Sequence, residues 1–408
     1  MSAPRGKVLL TDGASKSTLT AVRSLAQRGV EVHVGAERRL SIALWSRWTR
    51  RRHALPSPRR EPRRFAERLV ELHRRERYDA VIPVSDYDIA ALHAHADAWR
   101  DAGLPMALPS VASFARARDK ARMMKAARDA GVPTPETWFP DEEPIERIRD
   151  RAKYPLLVKP NLSDGARGIT LVESRDALVP TYERVIERWG ASHLQEWIPD
   201  GGAQWKSDIL IGAEGSELGL FTCRKIRYFP VKGGSSTLIV SQHHAQLDAD
   251  VPKLARQLGW YGFADFDFIV DPRDGVAKLM ECNPRFPESL AVNVFAGADF
   301  PWALYQLAST GRADALGPWR EGRFARFLVG DVMWFLKSED RWRASPSWFR
   351  FLDRDLTWYV EKWNDPGPTI CFLLEAIRTM ISPSEHANRF DRGFRPGAAG
   401  DASRSAAP

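Results

Sequence analysis

Asp267, Glu281 and Asn283 stand in two apolar runs, FADFDFIVD and AKLMECN, joined by the turn signal DPRDG. Alternate residues of a strand share a face, so in a hairpin Glu281 and Asn283 project together while Asp267 faces them from the partner strand. Carboxylates in a half-buried sheet are costly unless a cation or hydrogen bonds compensate them. Three hard oxygen donors at this spacing suit one or two Mg2+ ions, with Mn2+ as a substitute, bridging the phosphates of a nucleotide. Taken alone, the same trio is equally compatible with ordinary polarity at a sheet surface.

Lys159 closes the apolar run YPLLVKP and is followed by the loop SDGARG. A lysine there can simply snorkel at a strand end. Gly165 and Gly168, on either side of Arg167, change that reading, because they let backbone N–H groups approach phosphate oxygens while the lysine supplies charge from the sheet below. Lys120, Lys225 and Arg227 either add to that charge or remain solvated surface residues. In HLQEWIPDGG, an apolar strand carrying Gln195 and Glu196 runs into a turn. Read as an edge strand, its backbone can pair with a purine while Trp197 and Ile198 cover the ring faces; read blandly, it is an amphipathic strand entering a loop.

The elements that position these residues follow from the hydrophobic pattern. Residues 7 to about 110 alternate strand and helix (KVLLT, helix 17–28, EVHVGAE, helix 65–75, DAVIPVS, a helix ending near 102), which predicts a parallel, doubly wound α/β sheet. The first turn, TDGASKS, has one glycine where a dinucleotide fingerprint has three, so no nicotinamide site is read. Its strand-end position makes Asp12 to Ser17, with Ser85 and Asp86, either cleft-lining groups or plain turn and cap residues. A helix is expected over 115–130, stopped by Gly131, Pro133 and Pro135. Beyond it the strands and turns read as an α+β region, and from about residue 330 the chain is rich in tryptophan (Trp334, Trp342, Trp348, Trp358, Trp363) with one apolar helix over 369–381. The tryptophans are expected to pack this extension against the body. Residues 391–408 have the composition of a disordered tail.

Composition limits the function classes. With 408 residues, 44% hydrophobic and 27% charged, the chain can build two or three packed domains. A formal charge of +8 suits a polyphosphate site, a nucleic acid or an anionic membrane surface without choosing among them. Eight arginines of that excess lie in RWTRRRHALPSPRREPRR (47–64), which its prolines mark as a solvated connection. Three cysteines without CxxC spacing support neither a disulfide framework nor a zinc site. There is no signal-peptide core and no run of about 18 apolar residues, so a cytoplasmic protein is expected, with at most peripheral membrane contact.

Lys120 ahead of GVPTP, Lys159 in LVKP, the DGARGI loop, QEWI, Asp267 in DFDF, and Glu281, Asn283 and Arg285 in ECNPR follow one another in an order that resembles the ATP-grasp superfamily. The chain is more similar to its carboxylate-amine ligases and carbamoyl-phosphate-synthase-like members than to its other branches. The resemblance implies a Rossmann-like N-terminal domain (1–110) and a two-lobed ATP-grasp domain (111–312; lid lobe about 135–198, catalytic lobe about 199–312), followed by the tryptophan-rich extension (313–390). It further implies that Lys120 and Lys159 hold ATP phosphates under the Gly165–Gly168 lid, and that Glu196, Trp197 and Ile198 hold adenine. Gln204 falls where many members place an acid on the ribose. Lys225 or Arg227 would approach the γ-phosphate; Asp267, Glu281 and Asn283 would bind Mg2+; and Arg285 would hold the substrate carboxylate or its acyl phosphate. The implied activity is ATP-dependent condensation of a small carboxylate with an amine, with no nucleic-acid partner and with homodimers as a family expectation; a small-molecule kinase on the same scaffold and a non-catalytic nucleotide-binding protein are the competing readings.

Overall fold

The computed structural model describes residues 6–231 and 234–381; the expected tail at 391–408 lies outside the described residues. Strands β1 (Lys7–Leu10), β2 (Glu31–Ala36), β3 (Thr49–Ala54) and β4 (Ala80–Ile82) pair in parallel in the order β3-β2-β1-β4. The apolar residues of β1, β2 and β4 are buried on both faces, as parallel strands covered by helices require. The chain leaves β1 outward to β2 and β3 and then returns to β4 on the other side, so a crevice opens beyond the ends of β1 and β4. Asp12–Ser17 and Ser85–Asp86 lie there. Ser15 caps the Lys16–Gln27 helix, and Ser85 with Asp88 forms a capping box on the Asp86–Ala94 helix.

The arginine-rich segment corrects the sequence reading. Rather than a solvated connection throughout, its first part is the edge strand β3, with Thr49 and His53 buried and Arg50, Arg51 and Arg52 exposed. Its alternation was masked by three consecutive arginines, whose long stems tolerate an edge.

The helix expected over 115–130 is two, Val111–Arg118 and Lys120–Asp129. Asp119 takes an extended conformation, and its carboxylate accepts from Arg122 N at 3.0 Å, so a side-chain cap replaces helix continuation. The break directs Lys120 N–H to Asn161 O at 2.9 Å, tying this helix to the lid lobe.

That lobe is an antiparallel sheet, β5 (Thr137–Trp138), β6 (Leu156–Pro160), β7 (Thr170–Val172) and β8 (Ser192–Glu196), in the order β5-β8-β6-β7. Trp138, Ile148, Leu156, Val158, Leu178 and Leu194 form its core with the Ile145–Arg151 and Arg175–Trp189 helices. The strand HLQE is therefore internal, not an edge: the two-residue β5 pairs with it on one side, and Glu196 N donates to Glu136 O at 2.8 Å.

A seven-stranded sheet follows: β9 (Gln204–Ile211), β10 (Glu217–Phe229), β11 (Ser235–Ser241), β12 (Gly262–Val270), β13 (Ala277–Asn283), β14 (Phe324–Arg326) and β15 (Leu356–Trp358), ordered β13-β12-β9-β10-β11-β14-β15. Strand alternation sends Trp205, Ile209, Phe266 and Phe268 to one face, against Met123, Met124, Leu254 and Leu258 of the Lys120–Asp129 and Ala245–Leu258 helices. Lys206, Asp208, Asp265 and Asp267 take the opposite face. Leu210, Phe221, Cys223 and Ile239 of that face join a second core with the N-terminal sheet and the Leu290–Ala296 helix.

The segment expected as an extension after residue 312 supplies β14 and β15, so the sheet continues through that boundary. It also removes Arg227 from the nucleotide candidates. Arg227 and the fully buried Arg326 both ion-pair with Asp331, at 2.7 and 2.6 Å, and Trp334 covers Arg227. Of the five tryptophans, Trp334, Trp348 and Trp358 pack around these guanidinium groups, whereas Trp342 and Trp363 are exposed. No helix among the described residues is long and apolar enough to cross a membrane.

Candidate functional site

The hairpin β12–β13 sets Asp267 directly opposite Glu281 and Asp265 opposite Asn283. A bulge just after the Asp267–Glu281 pair breaks the register beside the site, as bulges often do where a side chain must be re-aimed. Asn283 Nδ2 lies 3.0 Å from Asp267 Oδ2, so the three expected metal-ligating residues are adjacent.

Around them stands a charge cluster that the motif reading reached only in part. Lys206 Nζ, on β9, lies 2.7 Å from Asp265 Oδ2 and 2.9 Å from Asp267 Oδ2; Lys225 Nζ, on β10, lies 2.7 Å from Asp267 Oδ1. Burial pushes the Asp267 carboxyl up, but the two ammonium groups outweigh it and hold it below the ordinary carboxylate range. Asp265 stays raised by its burial, with Lys206 opposing. Asp208, cross-strand from Asp265, is raised well above the usual value by burial and then by the Asp265 charge, and its Oδ2 accepts from Asn293 at 2.5 Å. Lys206, Asp208 and Asp265 were missed in the sequence, although the signal was present: they alternate in QWKSDIL and ADFDF in phase with Asp267.

The lid contributes Lys159 and, through the helix break, Lys120. Lys159 is buried on β6 and donates to Gln195 Oε1 at 2.7 Å; burial lowers its ammonium to about 8, with Glu281 opposing and Lys120 adding to the shift. Lys120 Nζ reaches Ser163 O in the glycine loop and lies 3.4 Å from Glu281 Oε2, which joins that loop to β13. The Tyr87 hydroxyl donates to Asp164 and links the same loop to the N-terminal domain.

The two loop glycines differ. Gly165 has φ +59° with open space where a Cβ would stand. Gly168 combines φ +75° with a close approach in which a Cβ would sit 2.8 Å from the Trp189 ring and from Pro160 Cγ. A Gly168→Ala variant is expected to lose about 1–2 kcal/mol from the left-handed backbone alone, read as a lower unfolding midpoint.

Arg285 bridges the lobes: Nη2 donates to Asn283 Oδ1 at 3.2 Å, and Nε lies 3.5 Å from Asp86 Oδ2 at the start of the Asp86–Ala94 helix. Beyond it, Ser15 Oγ donates to Glu288 Oε1 at 2.7 Å and Lys16 Nζ lies 2.6 Å from Glu288 Oε2. Asp12, at φ +48°, has its carboxyl raised to about 7 by burial and by the Asp88 and Glu288 charges. The strand-end residues of the N-terminal sheet thus face Arg285 across one crevice.

The expected adenine residues lie at the end of β8. The Glu196 carboxylate is engaged by Arg273, and Lys278 Nζ is 3.9 Å away; Ile198 is buried and Trp197 half-buried. Gln204 Oε1 is 3.4 Å from Lys225 Nζ. Cys282 is buried on the far face of the sheet, as alternation requires.

The donor set fits Mg2+, which is commonly held by one or two carboxylates plus substrate phosphates rather than by an all-protein cage. Among the described residues there is no group of three or more His, Cys, Asp and Glu placed for a metal. Asp267 and Glu281 with the Asn283 amide form a smaller set of oxygen donors.

No family model matches the chain. Over 253 residues it is 24% identical to the 2-oxoglutarate carboxylase small subunit of Hydrogenobacter thermophilus, covering 57% of this chain and 52% of that one, so the chain spans about half the length of this relative. Over 257 residues it is 26% identical to the D-alanine–D-alanine ligase of Nitratidesulfovibrio vulgaris, covering 57% of this chain and 82% of the relative. The biotin carboxylase of Campylobacter jejuni superposes with a TM-score of 0.63 at 16% identity, over 78% of this chain and 74% of that one. An L-amino acid ligase from Bacillus licheniformis superposes with a TM-score of 0.56 at 15% identity, over 79% of each chain. The fold is the ATP-grasp fold, and these relatives are ATP-grasp ligases and carboxylases.

Proposed function

We propose that the chain is an ATP- and Mg2+-dependent ligase that activates a small carboxylate as an acyl phosphate and condenses it with an amine, releasing ADP and phosphate. The observation that carries this reading is the cross-strand pair Asp267 and Glu281 with Asn283 beside it, approached by Lys120 from the lid side and by Arg285 from the N-terminal crevice. Asp267, Glu281 and Asn283 would hold Mg2+, with Mn2+ as a substitute, and the ion would neutralise charge on the transferring phosphoryl group. Lys159, Lys120 and Lys225 hold the phosphates, Gly165 and Gly168 let the loop backbone close over them, and Trp197 and Ile198 flank the base. Gln204 at the ribose is the weakest match to the family pattern. The Glu196 carboxylate is engaged by Arg273 and its backbone N–H by Glu136 O, so contact with the base falls to Trp197 and Ile198.

Arg285 holds the carboxylate in line with the terminal phosphate. Attack by a carboxylate oxygen on that phosphorus breaks the bond to ADP, and the amine then displaces phosphate from the acyl carbon. The crevice with Asp12, Asp86 and Glu288 receives the amine-bearing substrate, where an ammonium is favoured by the excess of carboxylates. A closed lid keeps water from the acyl phosphate.

Lys159 gives this reading a pH signature. Its folded pKa of about 8 lies below the ordinary lysine value, so the free protein loses this charge as pH rises through 8, while phosphates favour the charged form. ATP affinity is expected to fall, and proton uptake on binding to grow, between about pH 7 and about pH 9. Lys159→Met is expected to weaken binding at neutral pH and flatten that leg. Calorimetric titrations in two buffers of different ionisation enthalpy check both; an unchanged pH profile in the variant contradicts the assignment.

A further inference from the structure

The Gly367–Ile381 helix buries Cys371 and Phe372 in the core that includes the N-terminal sheet, and leaves Ile370, Leu373, Leu374 and Ile377 43–53% exposed. Those four recur at i, i+3, i+4 and i+7, a single stripe along the helix. The helix is therefore apolar on two faces, and the fold covers one of them. Trp363, just before it, is fully exposed at 103%.

Exposed arginines flank the start of this helix, which itself carries Glu375 and Arg378. A Cβ on Gly367 would lie 2.1 Å from Trp45 O, so the helix start rests on the Ile42–Trp45 turn, whose exposed Trp45 indole donates to Arg39 O. Arg47 Nη1 donates to Asn364 O at 3.2 Å. Arg39 and Arg47 are exposed, and Arg50 and Arg52 continue the run on β3. Asp365, beneath them, is buried and engaged by Arg23 Nε at 2.9 Å and Ser46 Oγ at 2.7 Å, so its charge is already matched.

We propose that this face seats the protein on an anionic lipid surface, with the Ile370–Ile377 stripe, Trp363 and Trp45 entering the acyl boundary and Arg39, Arg47, Arg50 and Arg52 meeting lipid phosphates. An apolar stripe with interfacial indoles and an arginine rim is the pattern of a helix that lies on a bilayer, and no helix among the described residues is long and apolar enough to span one. A second copy docked here about a twofold axis would bring the two arginine rims together, so charge selects phosphate-bearing lipid over self-association.

The test is cosedimentation of the full chain with phosphatidylglycerol–phosphatidylcholine vesicles and with phosphatidylcholine vesicles, alongside sedimentation velocity of the lipid-free protein. The wild type is expected to partition onto the anionic vesicles, more weakly as salt rises. The Leu373→Gln/Leu374→Gln and Arg50→Gln/Arg52→Gln variants are each expected to lose about tenfold or more in partitioning. Trp363→Ser, at a side chain with no fold to disturb, is expected to lose partitioning with an unchanged unfolding midpoint. Absence of cosedimentation, equal binding to neutral vesicles, or wild-type binding by the folded variants overturns the proposal. So does a concentration-dependent dimer abolished by the leucine substitutions, which assigns the face to a second copy.

Discussion

Replacing Glu281 by alanine is expected to lower the rate of ATP cleavage about a thousandfold, equivalent to about 4 kcal/mol of transition-state stabilisation, while leaving the fold intact. The side chain is 38% exposed on the edge strand β13, and it ion-pairs with Lys120 at 3.4 Å, so the protein gives up little packing. On the proposed function the loss falls instead on phosphoryl transfer, because Glu281 and Asp267 across from it would hold the metal ion. Steady-state kinetics beside a circular dichroism melt separates the two effects. A variant that melts like the wild type and retains activity would remove Glu281 from the metal set.

Lys206→Met is expected to act in the opposite order, on the fold first. Its ammonium, 9% exposed, is shared between Asp265 and Asp267, with Asp208 also drawing on its charge. Removing one partner of a buried ion pair leaves uncompensated carboxylates and typically costs about 3–5 kcal/mol. The loss is also expected to ease at low pH. Asp265 and Asp208 are raised above ordinary carboxylate values, so acid protonates them first and relieves the repulsion that Lys206 no longer offsets. Denaturant titrations of wild type and variant between about pH 5 and about pH 8 check this, with the gap expected to narrow on the acid side. A constant gap would mean that Lys206 contributes by packing alone.

The sequence was most legible where one period governed a whole element. The parallel strands at Lys7–Leu10, Glu31–Ala36 and Ala80–Ile82, and the hairpin that aligns Asp267 with Glu281, follow from apolar runs and a DPRDG turn. It was least legible where side chains override local pattern. Three arginines in a row hid β3, because an edge strand needs only Thr49 and His53 inside. Asp119 split a helix that composition alone would have continued, and the same split delivers Lys120 to the lid. Arg227 was indistinguishable from Lys225 as a phosphate group until Asp331, 104 residues away, was seen to hold it. The charge cluster of Lys206, Asp208 and Asp265 depends on the register of β9 against β12, a non-local pairing that no single segment reveals. The crevice formed by Asp12, Asp86, Arg285 and Glu288 likewise exists only once the N-terminal sheet has been placed against the catalytic lobe.

The most direct measurement of the central claim is oxygen transfer. A panel of carboxylic acids, including amino acids and bicarbonate, carries 18O in the carboxylate and is incubated with the protein, ATP, Mg2+ and pooled amines; inorganic phosphate and products are then read by mass. Acyl phosphate activation predicts that one labelled oxygen appears in phosphate for each amide formed, and that both disappear in Glu281→Ala. A condensed product with unlabelled phosphate, or a stable phosphorylated acceptor with no condensation, would contradict it.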